Sequence, residues 1–129
     1  MDKTQQIRHW AEIQIALCQK APMLHFKERE IWWSSIGINV GHEQDGRNYW
    51  CERPVLVVKK YTKDTVLAVP LTSQEKEGEH STSVLFRERK RTVLLEQSRV
   101  LSSQRFSRKI GMLGGDEFEE VRSKLKNLI

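Results

Sequence analysis

ERPVLVVKKYTKDTVLAVPLTSQ, Glu52 to Gln74, is the stretch whose reading decides the fold. Pro54 opens an unbroken apolar run, Val55 to Val58, and Lys59 to Asp64 make a polar turn. A second apolar run, Thr65 to Leu71, follows directly. Runs without polar alternation, at strand rather than helix length, read as strands covered on both faces. Pro70 has no amide proton to give a ladder, so it belongs at a sheet edge or a strand end.

Outward from this ribbon the chain continues as short strands. Glu30 to Ile36 (EIWWSSI) is rich in β-formers and reads as a strand. Gly37 to Glu52 is polar, with Gly37, Gly41 and Gly46 marking turns. Ser73 to His80 reads as a charged loop, and Ser83 to Phe86 and Thr92 to Gln97 as two strands about the charged turn Arg87 to Arg91. Ser102 to Phe106 suits one short helical turn, and Lys109 to Leu113 a last strand. Helical patterns stand only at the two ends. The first spans Thr4 to Ala21, with Ile7, Trp10, Ala11, Leu17, Cys18 and Ala21 at helical spacing and Pro22 blocking continuation. The second begins near Asp116, after Gly114-Gly115, and carries Phe118, Val121, Leu125 and Leu128 on one face. No helical pattern separates the middle strands, so the sheet is expected to be mainly antiparallel: mainly β, a small barrel closed by a C-terminal helix, with an extra N-terminal helix.

The 129 residues fit one domain, and 38% apolar with 30% charged content suits a globular chain with a charged surface. No apolar run approaches the ~20 residues that cross a bilayer, and Met1 to Lys20 lacks the continuous apolar centre of a secretory leader. A cytoplasmic protein with no membrane partner is the expectation. Cys18 and Cys51 are isolated and expected reduced, and neither they nor the scattered His9, His25, His42 and His80 show metal-ligand spacing. No metal or cofactor is expected. Twenty-two basic against 17 acidic side chains give +5, a balance that favours a polyanionic partner without demanding one.

The order of motifs resembles the MazF/PemK family of toxins from bacterial toxin–antitoxin operons. REIWW (Arg29 to Trp33), NVGHEQDG (Asn39 to Gly46), ERPVLVVKK (Glu52 to Lys60), VPLTSQ (Val69 to Gln74) and LLEQSRVLSSQRFSRKIGML (Leu94 to Leu113) come in the family's sequence, followed by the terminal helix. The resemblance covers about Glu28 to Ile129, giving a toxin-like domain over 26–129 and an N-terminal helical extension over 1–25. It implies an SH3-like barrel, built as a homodimer, that cuts single-stranded RNA at specific sequences without a metal. It implies transesterification at the ribose 2′-OH, leaving a 5′-hydroxyl, and a cognate antitoxin that lies over the RNA groove.

Metal-free RNA cleavage needs a cation for the crowded phosphorane, a base for the 2′-OH and a proton for the departing oxygen. Arg53 matches the arginine before proline in the family motif, and its rigid fork of donors suits a phosphate. Guanidinium stays protonated, so its role is charge stabilisation and not proton abstraction. Thr72 matches the threonine after the third strand, and Ser73 adds a second hydroxyl. Glu43 matches the acidic residue of the family's loop and would act as base if burial raised its pKa, with Gln44 beside it reading a base edge. Gln97 and Arg99 match positions near the RNA groove. Without the motif, Arg53 reads better as a surface arginine at a strand start, Thr72 as a polar strand end and Glu43 as part of a solvated loop; the motif tips the balance.

The sequence departs from the family in the length of Asp45 to Glu52, which holds Tyr49, Trp50 and Cys51. These two aromatic rings suit stacking on splayed bases and suit packing on the barrel equally. Two other functional classes stay open at this level. One is a gyrase-binding toxin like the related CcdB proteins, which needs no Arg/Thr pair. The other is a degenerate member that binds RNA or antitoxin without cutting.

Overall fold

The β-forming, doubly apolar segments pair with one another throughout. The computed structural model describes residues 1–75, 78 and 80–129, so the end of the charged loop at 76, 77 and 79 lies outside the described residues. Among the described residues seven strands form, β1 (Glu30–Ser35), β2 (Glu52–Lys60), β3 (Thr65–Thr72), β4 (Ser81–Phe86), β5 (Arg89–Leu94), β6 (Arg99–Ser102) and β7 (Phe106–Met112), flanked by α1 (Lys3–Cys18) and α2 (Gly115–Lys126). Every pairing is antiparallel, in the order β4-β5-β3-β2-β1-β7, with β6 added to β3. Register shifts in β1–β7 and β2–β3 bend the sheet into a partly open, SH3-like barrel.

β2 and β3 carry two cores, one on each face. Val55 and Val57 with Val66 and Ala68 pack against Phe26, Trp32, Leu101 and Phe106. Leu56 and Val58 with Val69 and Leu71 pack against Ile31, Val93, Leu113 and the Phe118–Val121 face of α2. Leu125 and Leu128 extend that face, partly buried.

Several boundaries differ from the sequence reading. Pro70 sits inside the central strand β3, facing Val55 of β2. On the other side of β3, β6 pairs only through Ala68 and β5 only from Leu71, so Pro70 falls in the gap between them. The proline therefore occupies a local edge within a central strand. The charged turn shrinks to Arg87-Glu88, both with positive φ (51° and 64°), the two-residue form that matches strand twist. The strand expected over Thr92 to Gln97 ends at Leu94 and passes into a 3-10 turn, Leu95–Gln97. β6 carries no run long enough to signal a strand, and arises because β3 offers an unpaired edge.

α1 is capped by Asp2, whose carboxylate accepts from Gln5 N while Gln5 Oε1 accepts from Asp2 N. Its buried face is Trp10, Ile13 and Leu17, packed with Cys51 and Ile38. Ile7, Ala11, Cys18 and Ala21, expected on that face, are exposed, and the helix stops at Cys18. The seat is narrow: Gly37 lies under Trp10 with φ +96°, and a Cβ there would stand 2.7 Å from the indole.

Glu30 is a buried carboxylate that orders the entry to β1. Its Oε1 accepts from Lys27 N (2.7 Å) and Trp32 Nε1 (3.1 Å), and Lys109 Nζ lies 2.7 Å from Oε2. Burial alone would raise its pKa. The bonds from Lys109, Lys27 and Trp32 outweigh burial and hold it below the ordinary carboxylate range.

Glu30 therefore stabilises the fold fully above the unfolded glutamate's pKa, about 4.3, and loses this as pH falls through the lower folded value. Glu30→Gln is expected to cost about 1–3 kcal/mol at pH 7 in urea unfolding. The deficit should shrink as pH falls below the unfolded glutamate's value and through the lower folded one, and a pH-independent deficit would contradict the assignment. Gly37→Ala should cost more than about 1 kcal/mol and loosen α1, read as a lower urea midpoint and faster proteolysis within 3–18.

Candidate active site

The register of β2 and β3 pairs Val55 with Pro70 and Leu56 with Val69. Continued by two residues it sets Arg53 across from Thr72, on the same face of the ribbon. Both residues, with Ser73, line one cleft of about 580 Å³. Arg47, Arg87 and Arg91 wall it, and Trp33, Pro54, Leu71 and Phe86 give it an apolar floor. Directly opposite Arg53 on β1 lies Ser34, whose buried hydroxyl has no hydrogen-bond partner among the described residues.

Arg53 is half-buried and held by the loop between β1 and β2. Its Nε donates to Asp45 O at 2.7 Å, and the Gln44 amide oxygen, turned to face it, accepts from Nη2 (2.6 Å) and Nε (2.9 Å). Burial lowers the Arg53 pKa, Arg47 adds to this, and Asp45 opposes it. A guanidinium desolvated beside a second cation gains from an arriving anion. Thr72 is buried, and its Oγ1 accepts from Gln74 N at 3.2 Å, which fixes the hydroxyl at the strand end.

The other sequence-chosen residues gather in a neighbouring groove. Glu43, Gln44, Gln97 and Arg99 line a cavity of about 410 Å³ with Ile36, Asn39 and Pro70. Gln97 Oε1 accepts from Gln44 N (3.0 Å), and its Nε2 donates to His42 O (3.2 Å), so it fastens the loop to the barrel. Arg99 donates to Ile36 O at 3.2 Å. Glu43 turns back on its own loop, where Oε1 accepts from Val40 N at 2.9 Å. Glu43 is thus not among the residues lining the Arg53–Thr72 cleft, and Gln44 bridges the two groups.

The loop itself is built rather than slack. Asn39 N donates to Asp45 Oδ1, Asn39 Nδ2 donates to Gln44 O and Ile36 O, and Gly46 N donates to Gly37 O. Arg47 and Glu52 exchange two backbone bonds, closing a turn over 48–51. Lys3 of α1 pairs with Asp45 at 2.6 Å.

Three features escaped the sequence reading. Arg87 and Arg91 looked like a solvated hairpin, and reach the cleft only because β5 pairs with the end of β3. Arg47 looked like loop charge. Glu52, at the head of β2, is a buried carboxylate on the cleft, accepting from Asn48 Nδ2 (3.2 Å) and Ser107 Oγ and facing Arg108 (3.7 Å). Its neighbour Arg53 masked it in sequence, since a charged residue beside a strand start gives no sign of burial. Cys51 and Cys18 are free thiols, and burial, then Asp45, raises the Cys51 pKa. No group of three or more His, Cys, Asp or Glu side chains among the described residues is placed to hold a metal ion.

Comparison with known proteins agrees with the motif order. The family model of PemK-like, MazF-like toxins of type II toxin–antitoxin systems matches residues 27–129. Among solved structures, MazF (Form-I) from Deinococcus radiodurans is 25% identical, over 80% of this chain and 94% of that one, with a TM-score of 0.64. MazE–MazF (Form-II) from the same organism is 21% identical over 80% and 93%, with a TM-score of 0.60. An endoribonuclease from Mycobacterial species in complex with its cognate antitoxin is 14% identical over 83% and 93%, also at 0.60. The last two show likeness of fold alone. No curated protein matches the sequence. Among the described residues, no helix is long and apolar enough to cross a membrane.

Proposed function

The chain belongs to the PemK-like, MazF-like toxins of type II toxin–antitoxin systems, and from that membership we propose that it is a metal-independent endoribonuclease acting on single-stranded RNA. The observation that carries the reading is the single cleft shared by Arg53, Thr72 and Ser73 and walled by three more arginines. A groove of this charge favours a polyanion, and the Arg/hydroxyl pair suits one phosphate within it.

In this reaction the ribose 2′-oxygen attacks phosphorus and gives up its proton. The bond to the 5′-oxygen breaks and that oxygen takes a proton, leaving a 2′,3′-cyclic phosphate and a 5′-hydroxyl. Arg53 stabilises the charge growing on the non-bridging oxygens, and its rigid donors suit that geometry. Two of its nitrogens are engaged by Gln44 and Asp45, and its five N–H donors leave others for phosphate. Thr72, with Ser73, donates to the same phosphate. The 2′-OH proton is assigned to Glu43, which is exposed rather than buried and whose carboxylate must turn from Val40 N toward the cleft to take it. Gln44, Gln97 and Arg99 line the groove along which the strand continues. The active unit is a homodimer, and a cognate antitoxin, such as those bound to the structural relatives, covers the groove. Residues 1–25 form an extension to the catalytic domain of 26–129.

Arg53→Ala and Thr72→Ala should each reduce cutting of single-stranded RNA in EDTA by about a hundredfold or more with the melting temperature preserved. Glu43→Gln should lower the rate of cutting with the melting temperature preserved. Ends mapped after cleavage should carry 5′-hydroxyls. Undiminished cutting by both Arg53→Ala and Thr72→Ala would overturn the assignment.

A further inference from the structure

We infer that the pocket between α1 and the long β1–β2 loop is a nucleobase subsite: it takes one base of the single-stranded RNA beside the phosphate held at Arg53, with Tyr49 as its stacking platform. The inference rests on the RNA-cleaving reading and adds a site built partly from residues outside the family match, which begins at residue 27.

The pocket encloses about 660 Å³, and Gln6, His9, Ile38, Arg47 and Tyr49 are among its lining residues. It shares Arg47, Asn48 and Arg53 with the main cleft. A strand whose phosphate lies at Arg53 can therefore turn an adjacent base into this pocket without leaving the protein surface. The wall chemistry suits a base. Tyr49 supplies a ring, Ile38 an apolar side, Gln6 an amide with both donor and acceptor, and Arg47 a fork of donors. A cleft that is mostly apolar with a few convergent polar groups is the usual form of a small-ligand site.

Tyr49 is 66% exposed, yet it is held in place. The His9 ring stands edge-on to it at 4.7 Å and Trp50 at 5.4 Å, and His9 Nε2 lies 2.6 Å from Tyr49 O. The turn that carries it is fixed by Asn48, whose Oδ1 accepts from Trp50 N (2.9 Å) and Glu52 N (3.3 Å). Asn48 and Cys51 both adopt left-handed backbone (φ 64° and 54°). Two non-glycine residues in that region are strain that the surrounding contacts must hold. Holding an aromatic ring rigid and open in advance removes the ordering cost of stacking. Packing on the barrel would instead have buried the ring.

The test compares the full chain with Tyr49→Ala, Tyr49→Phe and Gln6→Ala, each checked for an unchanged melting temperature. Cleavage of a transcript pool in EDTA is mapped by its ends. Tyr49→Ala should lower kcat/KM about tenfold, mainly through KM, as expected from loss of one stacked base. It should also lose preference at one nucleotide flanking the cut. Tyr49→Phe should keep both, and Gln6→Ala should broaden the preference at that same nucleotide. A Tyr49→Ala chain that cuts the same sites with the same KM overturns the subsite and leaves the nuclease standing. If the wild-type chain cuts no RNA, the nuclease reading falls. Affinity for a 2′-O-methyl single-stranded oligonucleotide then decides the subsite: weaker binding by Tyr49→Ala alone supports it, while equal or absent binding by all overturns it. Loss of antitoxin binding with RNA affinity intact would also overturn it, assigning the pocket to a protein partner.

Discussion

Val55 facing Pro70 is the pairing on which the groove depends. With that register, Arg53 at the head of β2 and Thr72 at the foot of β3 fall on one side of the ribbon, and the cleft forms where the strands run out. Side chains alternate along a strand, so a slip of one residue would send Arg53 and Thr72 to opposite faces. The slip is costly on both faces at once. Val55 and Val57 would enter the core now filled by Leu56 and Val58, and the reverse would hold for the second core. Hydrophobic packing thus fixes the position of two polar groups.

The loop between β1 and β2 is the second determinant. Gln97 ties it to the barrel, Lys3 ties it to α1, and Gln44 and Asp45 close it on Arg53. Most of these bonds are partly exposed, and such pairs individually contribute little. Their effect is geometric: they choose one arrangement of a long polar segment among many. The buried contacts of Trp10, Ile13 and Leu17 with Cys51 and Ile38 supply the larger stabilisation.

Much of the fold was legible because its signals are local. Two apolar runs gave β2 and β3, and one amphipathic stripe gave α2. The pieces that were not legible depend on tertiary context. β6 exists because β3 has a free edge, and Pro70 is tolerated within β3 because two neighbouring strands leave a gap beside it. On α1, Ile13 is buried while Ile7 is exposed, since the helix packs on the loop, which periodicity does not reveal. For the site, motif order named Arg53 and Thr72. Arg87, Arg91 and Glu52 were hidden, because hairpin docking and burial of a charge leave no trace in residue type.

The β2–β3 ribbon is enclosed on both of its faces, and this divides the molecule by its tolerance to evolutionary change. A substitution within the ribbon disturbs one hydrophobic layer or the other, so drift there is suppressed whatever the substrate. Solvent-facing positions of the turn over 48–51 and of the appended helix support neither of these two cores, while Trp10, Ile13, Leu17 and Cys51 beneath them pack into a third. Under the proposed function, a lineage can therefore alter those solvent-facing walls while the ribbon that sets Arg53 beside Thr72 is inherited unaltered.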